Sequence, residues 1–217
     1  MADTTTYHLS ANAHEVAREL LKIGCVKFSV DDPFTWVSGI KSPIYCDNRK
    51  INSHIESRNV VLNAFVNLIR DKFPGCDSVT GVATGGIPMG ILAADRLEKP
   101  FTYVRQEPKK YGLKKQIEGD YNEGDKVVLI EDLVSTGGSS LKAINGIKDA
   151  NLEVMAIISI VTYGFPVSVE RFQQNDVVHY SLCDLNTLLE AATEMNYLDP
   201  TQKESVLRFK EDPNGWG

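Results

Sequence analysis

The sequence predicts an α/β protein, a parallel twisted sheet flanked by helices. Three observations point there. From residue 78 onward, short apolar runs that read as buried strands alternate with amphipathic stretches of helical period. Several loops of unusual composition follow directly after such strands, at the end of the sheet where parallel folds bind ligands. The chain has 217 residues, 42% hydrophobic and 24% charged, which is enough for one sizeable core of ordinary soluble composition.

Each element has its own signal. Ala13 to Ile23 places Val16, Leu20 and Ile23 on one helical face, with Gly24 as the stop. Phe34 to Lys50 mixes aromatics, Ser, Gly, Pro and bases, which suits an irregular hairpin or binding loop over the site. Ser53 and Glu56 form the sequence pattern of a capping box, opening a helix that runs to about Asp71. Ser78 to Ala83 is a strand that runs into Thr84-Gly85-Gly86, and Ile87 to Leu97 a helix with Pro88 in its first turn. Phe101 to Val104 is a strand, while residues 105 to 123 show no period and are rich in Lys, Gly and Gln. Val127 to Ile130 is a buried strand and Ser139 to Ala150 a helix. Val154 to Val161, a short helix near Val167 to Gln173, and Val177 to Leu182 continue the alternation. Asp184 caps a helix over Leu185 to Met195, and a polar helix closes the chain. The first residues are polar and expected to fray. No repeat or linker divides the sequence, so residues 1–217 are expected to form a single domain, with 1–50 contributing an N-terminal hood.

The net charge of −6 argues against nucleic acid or an anionic membrane as the main partner. Four scattered cysteines, Cys25, Cys46, Cys76 and Cys183, make no metal-binding or disulfide pattern and read as free thiols in a reducing compartment. The N-terminus has no apolar signal core, no apolar run approaches a membrane span, and a cytoplasmic location is expected.

The most informative stretch is Lys126 to Ser140. An apolar strand runs into two acids, Glu131 and Asp132, then Leu133, Val134 and a loop of small residues, Ser135, Thr136, Gly137, Gly138, Ser139 and Ser140. Glycines let the backbone close around an anion, a helix N-terminus offers free N–H groups, and the hydroxyls add donors. Carboxylates accept hydrogen bonds from hydroxyls. A ribose 5-phosphate satisfies both halves, phosphate in the loop and sugar hydroxyls on the acids. An ordinary strand–turn–helix is the competing reading. Neither GxxxxGK[ST] nor GxGxxG is present.

This stretch resembles the phosphoribosyl pyrophosphate (PRPP) motif of the type I phosphoribosyltransferases. Residues 34–49 are similar to the base-site segment of the orotate-using members, residues 80–88 to their pyrophosphate loop, and residues 105–119 to their mobile catalytic loop. The resemblance implies the fold of that family and a Mg²⁺-dependent transfer of phosphoribosyl from PRPP to orotate, in pyrimidine synthesis. It implies that Mg²⁺ is held mainly by substrate and water, that Arg105, Lys109 and Asp132 are catalytic, and that the protein is a homodimer with shared sites. PRPP would be bound by Thr84, Gly85, Arg105, Lys109, Tyr111 and the run from Glu131 to Ser140; orotate by Thr136, Lys41, Tyr45 and Cys46.

The chain departs from the family pattern in places. Gln106 and Tyr111 stand where many members have Lys and His in the catalytic loop. Thr84-Gly85 stands where some have Tyr-Lys, so backbone N–H groups would have to hold the diphosphate. An arginine that some members carry after a later strand has no counterpart in residues 158–164, and Arg49 is either its substitute or a surface ion pair. Transfer to another base, and a regulatory protein that keeps the PRPP fold for sensing or RNA binding, are the alternative functions. The histidines, His8, His14, His54 and His179, lie away from every motif. The length leaves no room for a fused decarboxylase barrel.

Overall fold

The computed structural model describes residues 7–36, 38–107 and 116–216. In chain order the elements are β1 (His8–Leu9), α1 (Ala13–Lys22), β2 (Val26–Phe28), β3 (Phe34–Thr35), β4 (Lys41–Ser42) and β5 (Ile44–Cys46). A 3-10 helix (Asn48–Ser53) leads into α2 (Ile55–Lys72), β6 (Ser78–Val82), α3 (Gly86–Leu97), β7 (Phe101–Val104) and β8 (Ile117–Glu118). Then come β9 (Lys126–Val134), α4 (Gly138–Lys148), β10 (Glu153–Thr162), α5 (Pro166–Gln174), β11 (His179–Asp184), α6 (Leu185–Glu194) and α7 (Pro200–Glu211).

Seven strands form one sheet in the order β1-β11-β10-β9-β6-β7-β8, parallel throughout except for the β7–β8 pair. β9 is central. Its side chains alternate between two cores, as strand geometry requires. Val128 and Ile130 join a cluster with Val16, Leu20, Phe65, Ala93 and Leu188, whereas Val127 and Leu129 join Ile144, Ile147 and Phe172. Fully burying each of these β9 aliphatics contributes roughly 1.5–3 kcal/mol. Four of them outweigh the roughly 1–3 kcal/mol cost of one unsatisfied buried polar group, so the strand can carry a buried carboxyl at its end.

The order of connection positions the site. β6, α3 and β7 step toward one edge, while β9, α4, β10, α5 and β11 step toward the other. The direction reverses between β6 and β9, and a crevice for ligands opens at such a switch point, beyond the carboxyl ends of the two strands. Above it, two antiparallel ribbons, β2–β5 and β3–β4, make the hood. The rest of the N-terminal region belongs elsewhere, since β1 pairs with β11 and α1 buries Val16, Ala17 and Leu20 in the main core.

Several boundaries differ from the sequence expectation. β9 does not stop at Ile130, because β10 continues to pair with it through Glu131↔Ser159, Leu133↔Val161 and Val134↔Thr162. The two acids therefore sit on a strand. The capping box does not form: Ser53 ends the 3-10 helix, and His54 is the N-cap of α2 without a side-chain bond. The 3-10 turn before it, anchored by buried Ile51, has moved the N-cap of α2 one residue on, from Ser53 to His54. β11 starts at His179 because residues 176–177 still close α5: Asp176 is left-handed (φ 52°) and the Val177 N–H donates to the Phe172 carbonyl. β1 and β8 have two residues each, too few to show a period. Among the described residues no helix is long and apolar enough to cross a membrane, and all four cysteines are free.

Candidate active site

The Thr84–Gly86 turn after β6 and the Ser135–Gly138 turn after β9 meet at the switch point. They touch because two positions lack a side chain. A Cβ on Gly86 would strike the Ile130 carbonyl, and one on Gly85 would strike the Asp132 carboxyl. The first turn of α3 is thereby held against the end of β9, with the Gly85 backbone facing the carboxylate. The Ala83–Thr84 peptide bond is cis.

Strand alternation separates the two acids. Glu131 is 5% exposed and turned toward α4; its Oε1 accepts the Asp132 N–H at 3.2 Å, while Oε2 has no hydrogen-bond partner. Burial, and then the neighbouring Asp132, push the Glu131 carboxyl well above the usual carboxylate range. Asp132 is half-buried and faces Gly85. Within one dipeptide there is a buried carboxyl biased toward its neutral form and an accessible carboxylate at the crevice.

The small-residue loop folds as a helix entrance. Gly137 is left-handed (φ 76°), and a Cβ there would press on the Phe172 ring at 3.2 Å. α4 begins at Gly138 with no side-chain cap, which leaves its first N–H groups available to an anion. The Ser140 Oγ is buried on the side of the Glu131 carboxyl. The Arg171 Nη1, from α5, donates to the Thr136 carbonyl at 2.8 Å and holds the loop from behind.

Beside this loop is a cavity of about 290 Å³ lined by Thr35, Trp36, Tyr45, Cys46, Leu133, Ser135 and Tyr163. That is the small end of the range for ligand sites, about 300–1,000 Å³. Trp36 and Tyr163 stack with centroids 5.6 Å apart and planes 14° from parallel. The Trp36 Nε1 donates to the Ile44 carbonyl at 3.3 Å. Lys41 reaches the rim, its Nζ donating to the Thr35 Oγ1 at 2.7 Å. Arg49 is committed otherwise: its Nε donates to the Asp47 Oδ1 at 2.6 Å, which lowers the Asp47 pKa.

Of the four residues expected at the base, Tyr45 and Cys46 line the cavity and Lys41 borders it through Thr35. Ser135 lines the cavity, and Thr136, whose backbone carbonyl accepts from Arg171, is the next residue along the loop. Arg105 is exposed at the end of β7, with its Nη1 3.5 Å from the Glu118 Oε1. The Gln106 Nε2 donates to the Ala83 carbonyl at 3.4 Å, beside the Thr84–Gly85 turn. Lys109, Lys110, Tyr111 and Gly112 lie outside the described residues. Arg171 and Tyr163 belong to no motif of the sequence, and in the base segment Asn48 has no role of its own and Trp36 reads as a packing residue. Only Trp36 carried a signal, its place in an aromatic segment otherwise short of core pattern.

The comparisons with known proteins agree with this geometry. The family model for the phosphoribosyl transferase domain matches residues 51–182. An orotate phosphoribosyltransferase of Cytophaga hutchinsonii is 41% identical over 202 residues, 93% of this chain and 97% of the relative. One from Bacteroides thetaiotaomicron is 44% identical over 92% of this chain and 94% of its own. The chain belongs to the orotate phosphoribosyltransferase family. A solved structure of that family, from Aeropyrum pernix, matches with a TM-score of 0.74 and 31% identity, covering 85% of this chain and 99% of the other. In this phosphoribosyltransferase the family model ends inside β11, so it spans both crevice loops but leaves out the hood, which supplies four of the seven residues lining the cavity.

Proposed function

We propose that the chain transfers a phosphoribosyl group from PRPP to orotate, giving orotidine 5′-monophosphate and pyrophosphate in pyrimidine synthesis. The observation that carries the reading is adjacency. Leu133 and Ser135 line the base cavity, and the next residues, Thr136 to Ser140, make the anion loop. A nucleotide with its phosphate in the loop would have its base in the cavity.

The roles follow from the chemistry. The anomeric carbon loses pyrophosphate and gains a ring nitrogen of orotate through a transition state with positive charge on the ribose. Positioning and electrostatics therefore supply most of the catalysis. The run from Ser135 to Ser140 would hold the 5-phosphate through backbone N–H groups and hydroxyls. Asp132 would accept from the ribose hydroxyls and stabilise the positive ribose; Glu131, biased neutral, would back it from the α4 side. Thr84 and Gly85 would present amides to the diphosphate, with Arg105 and Lys109 as its cationic partners and Tyr111 as a hydroxyl donor. Trp36 and Tyr163 wall the flat ring's cavity. Lys41, which pairs with no carboxylate among the described residues, is the cation for the orotate carboxylate; Arg49 is occupied by Asp47.

The donor set suits Mg²⁺. Among the described residues no group of three or more His, Cys, Asp or Glu side chains could hold a metal. The half-exposed Asp132 carboxylate at the crevice fits a hard cation that keeps waters and takes its other ligands from diphosphate oxygens. When bound, Mg²⁺ would neutralise charge on the leaving group. We further take the enzyme to be a cytoplasmic homodimer whose 105–119 segment reaches the partner's site. Four unpaired thiols suit that reducing compartment.

The deciding experiment is a steady-state assay with orotate, uracil and hypoxanthine as acceptors. Turnover of orotate with pyrophosphate release is expected. Turnover of another base with none of orotate would overturn the assignment.

A further inference from the structure

Asn48 opens the 3-10 helix after β5 and is only 4% exposed. Both ends of its amide are used. Nδ2 donates to the Asp132 backbone carbonyl at 2.7 Å, across 84 residues of sequence, and Oδ1 accepts from the Cys46 thiol at 3.3 Å. Cys46 is a wall of the base cavity, and Asp132 carries the carboxylate that meets Gly85. One buried side chain thus stands between the two halves of the site.

The Asp132 carbonyl lies past Gly81↔Ile130, the last pair that β6 makes with β9. The ladder on that side has ended, and this part-buried carbonyl takes its donor from elsewhere. The donor comes from the segment that shapes the base cavity. A space-filling residue would not need a donor and an acceptor at once: Leu offers neither, and Asp cannot donate.

We infer that Asn48 is a positioning residue that couples base binding to sugar-phosphate binding. A base that orders the Tyr45–Cys46 wall fixes Asn48, and Asn48 fixes the backbone from which Asp132 reaches the sugar. This rests on the functional reading above. Linkage makes the coupling reciprocal, so a sugar phosphate tightens base binding by the same factor.

The test uses ribose 5-phosphate, which lacks the leaving group, and orotate, titrated calorimetrically alone and together. In the wild type, saturating orotate is expected to raise ribose 5-phosphate affinity about 5- to 50-fold, within the usual range of coupling between sites. In Asn48→Ala and in the near-isosteric Asn48→Asp the factor falls to within about twofold of one, while affinity for ribose 5-phosphate alone changes less than about threefold. With PRPP and orotate, kcat falls more than the KM for PRPP rises. A coupling factor that survives in either folded variant overturns the inference, as does a wild type without coupling. A variant whose two single-ligand affinities fall in step with its melting temperature, coupling intact, marks Asn48 as structural only and also overturns it. A wild type that binds neither ligand removes the functional reading itself, and the inference with it.

Discussion

The two sides of the crevice are built in opposite ways. The anion side is one uninterrupted run, Glu131 to Ser140, with the Thr84–Gly86 turn leaning on it. The base side is collected from four places: Thr35 and Trp36, Tyr45 and Cys46, Leu133 and Ser135, and Tyr163. A phosphate needs amides in a tight arc, and a short chain can make that arc by local turns alone. A flat ring needs walls on several sides, which only tertiary packing brings together. Damage to the contiguous side should therefore remove activity with either substrate in excess, whereas damage to the assembled side should be graded and specific to the base.

The largest effect is expected at Asp132. Asp132→Asn should lower kcat by about 10²–10³-fold, the scale for removing one group aimed at transition-state charge. Rapid-quench kinetics at saturating PRPP and orotate would measure it. Mixed with Lys109→Ala subunits, the same variant should regain activity in the heterodimer if the sites are shared; a mixture as inactive as its parents would count against sharing. Gly85→Ala comes next. Its methyl would meet the Asp132 carboxyl, and a rise in PRPP KM of about tenfold, near 1.4 kcal/mol, is expected with orotate KM little changed.

Lys41→Met tests the other side. A partly exposed ion pair is worth about 1 kcal/mol or less, so orotate KM should rise about fivefold with PRPP KM unchanged. Discrimination between orotate and uracil, measured by competition, should shrink by the same factor. Equal loss toward both bases would show that Lys41 does not read the carboxylate.

The smallest effect is on stability. The folded pKa of Glu131 is raised by burial, so the folded state holds a proton that the unfolded state has released in the window above the ordinary carboxylate value of 4.5. That contribution is fully present below this value and is lost as pH rises through the folded pKa. Glu131→Gln keeps the shape without the charge. Its melting temperature without ligand should match the wild type near pH 4 and exceed it by about 2–4 °C at pH 8, the shift that 1 kcal/mol produces in a chain of this size. A lower melting temperature at pH 8 would contradict the assignment of Glu131 as a buried, neutral-biased group.

The same contrast decides what could be read from the sequence. Most strands and helices from residue 78 onward were legible because period and burial agree along them, though two-residue β8 was not, and the small-residue loop was legible because its chemistry is local. Ser135 and Thr136 differ only in where the turn begins, which depends on how far β10 holds β9 in register. That length is a tertiary quantity, and it decides that Ser135 is the loop residue lining the cavity. Tyr163 reads as a strand end until Trp36 stacks on it. Asn48 reads as a polar residue in a loop until the Asp132 carbonyl is found at its amide. Lys41, expected at the base from the resemblance, is placed beside the cavity by its contact with Thr35, a pairing across the β3–β4 ribbon that the sequence does not show.

A crystal structure with orotidine 5′-monophosphate tests the central claim most directly, since this one molecule must span both sides. Its phosphate is predicted to lie on the amides of residues 136–140 and its pyrimidine between the Trp36–Tyr163 wall and Tyr45, with the carboxylate toward Lys41. A phosphate bound away from the start of α4, or a base outside that cavity, would contradict the account.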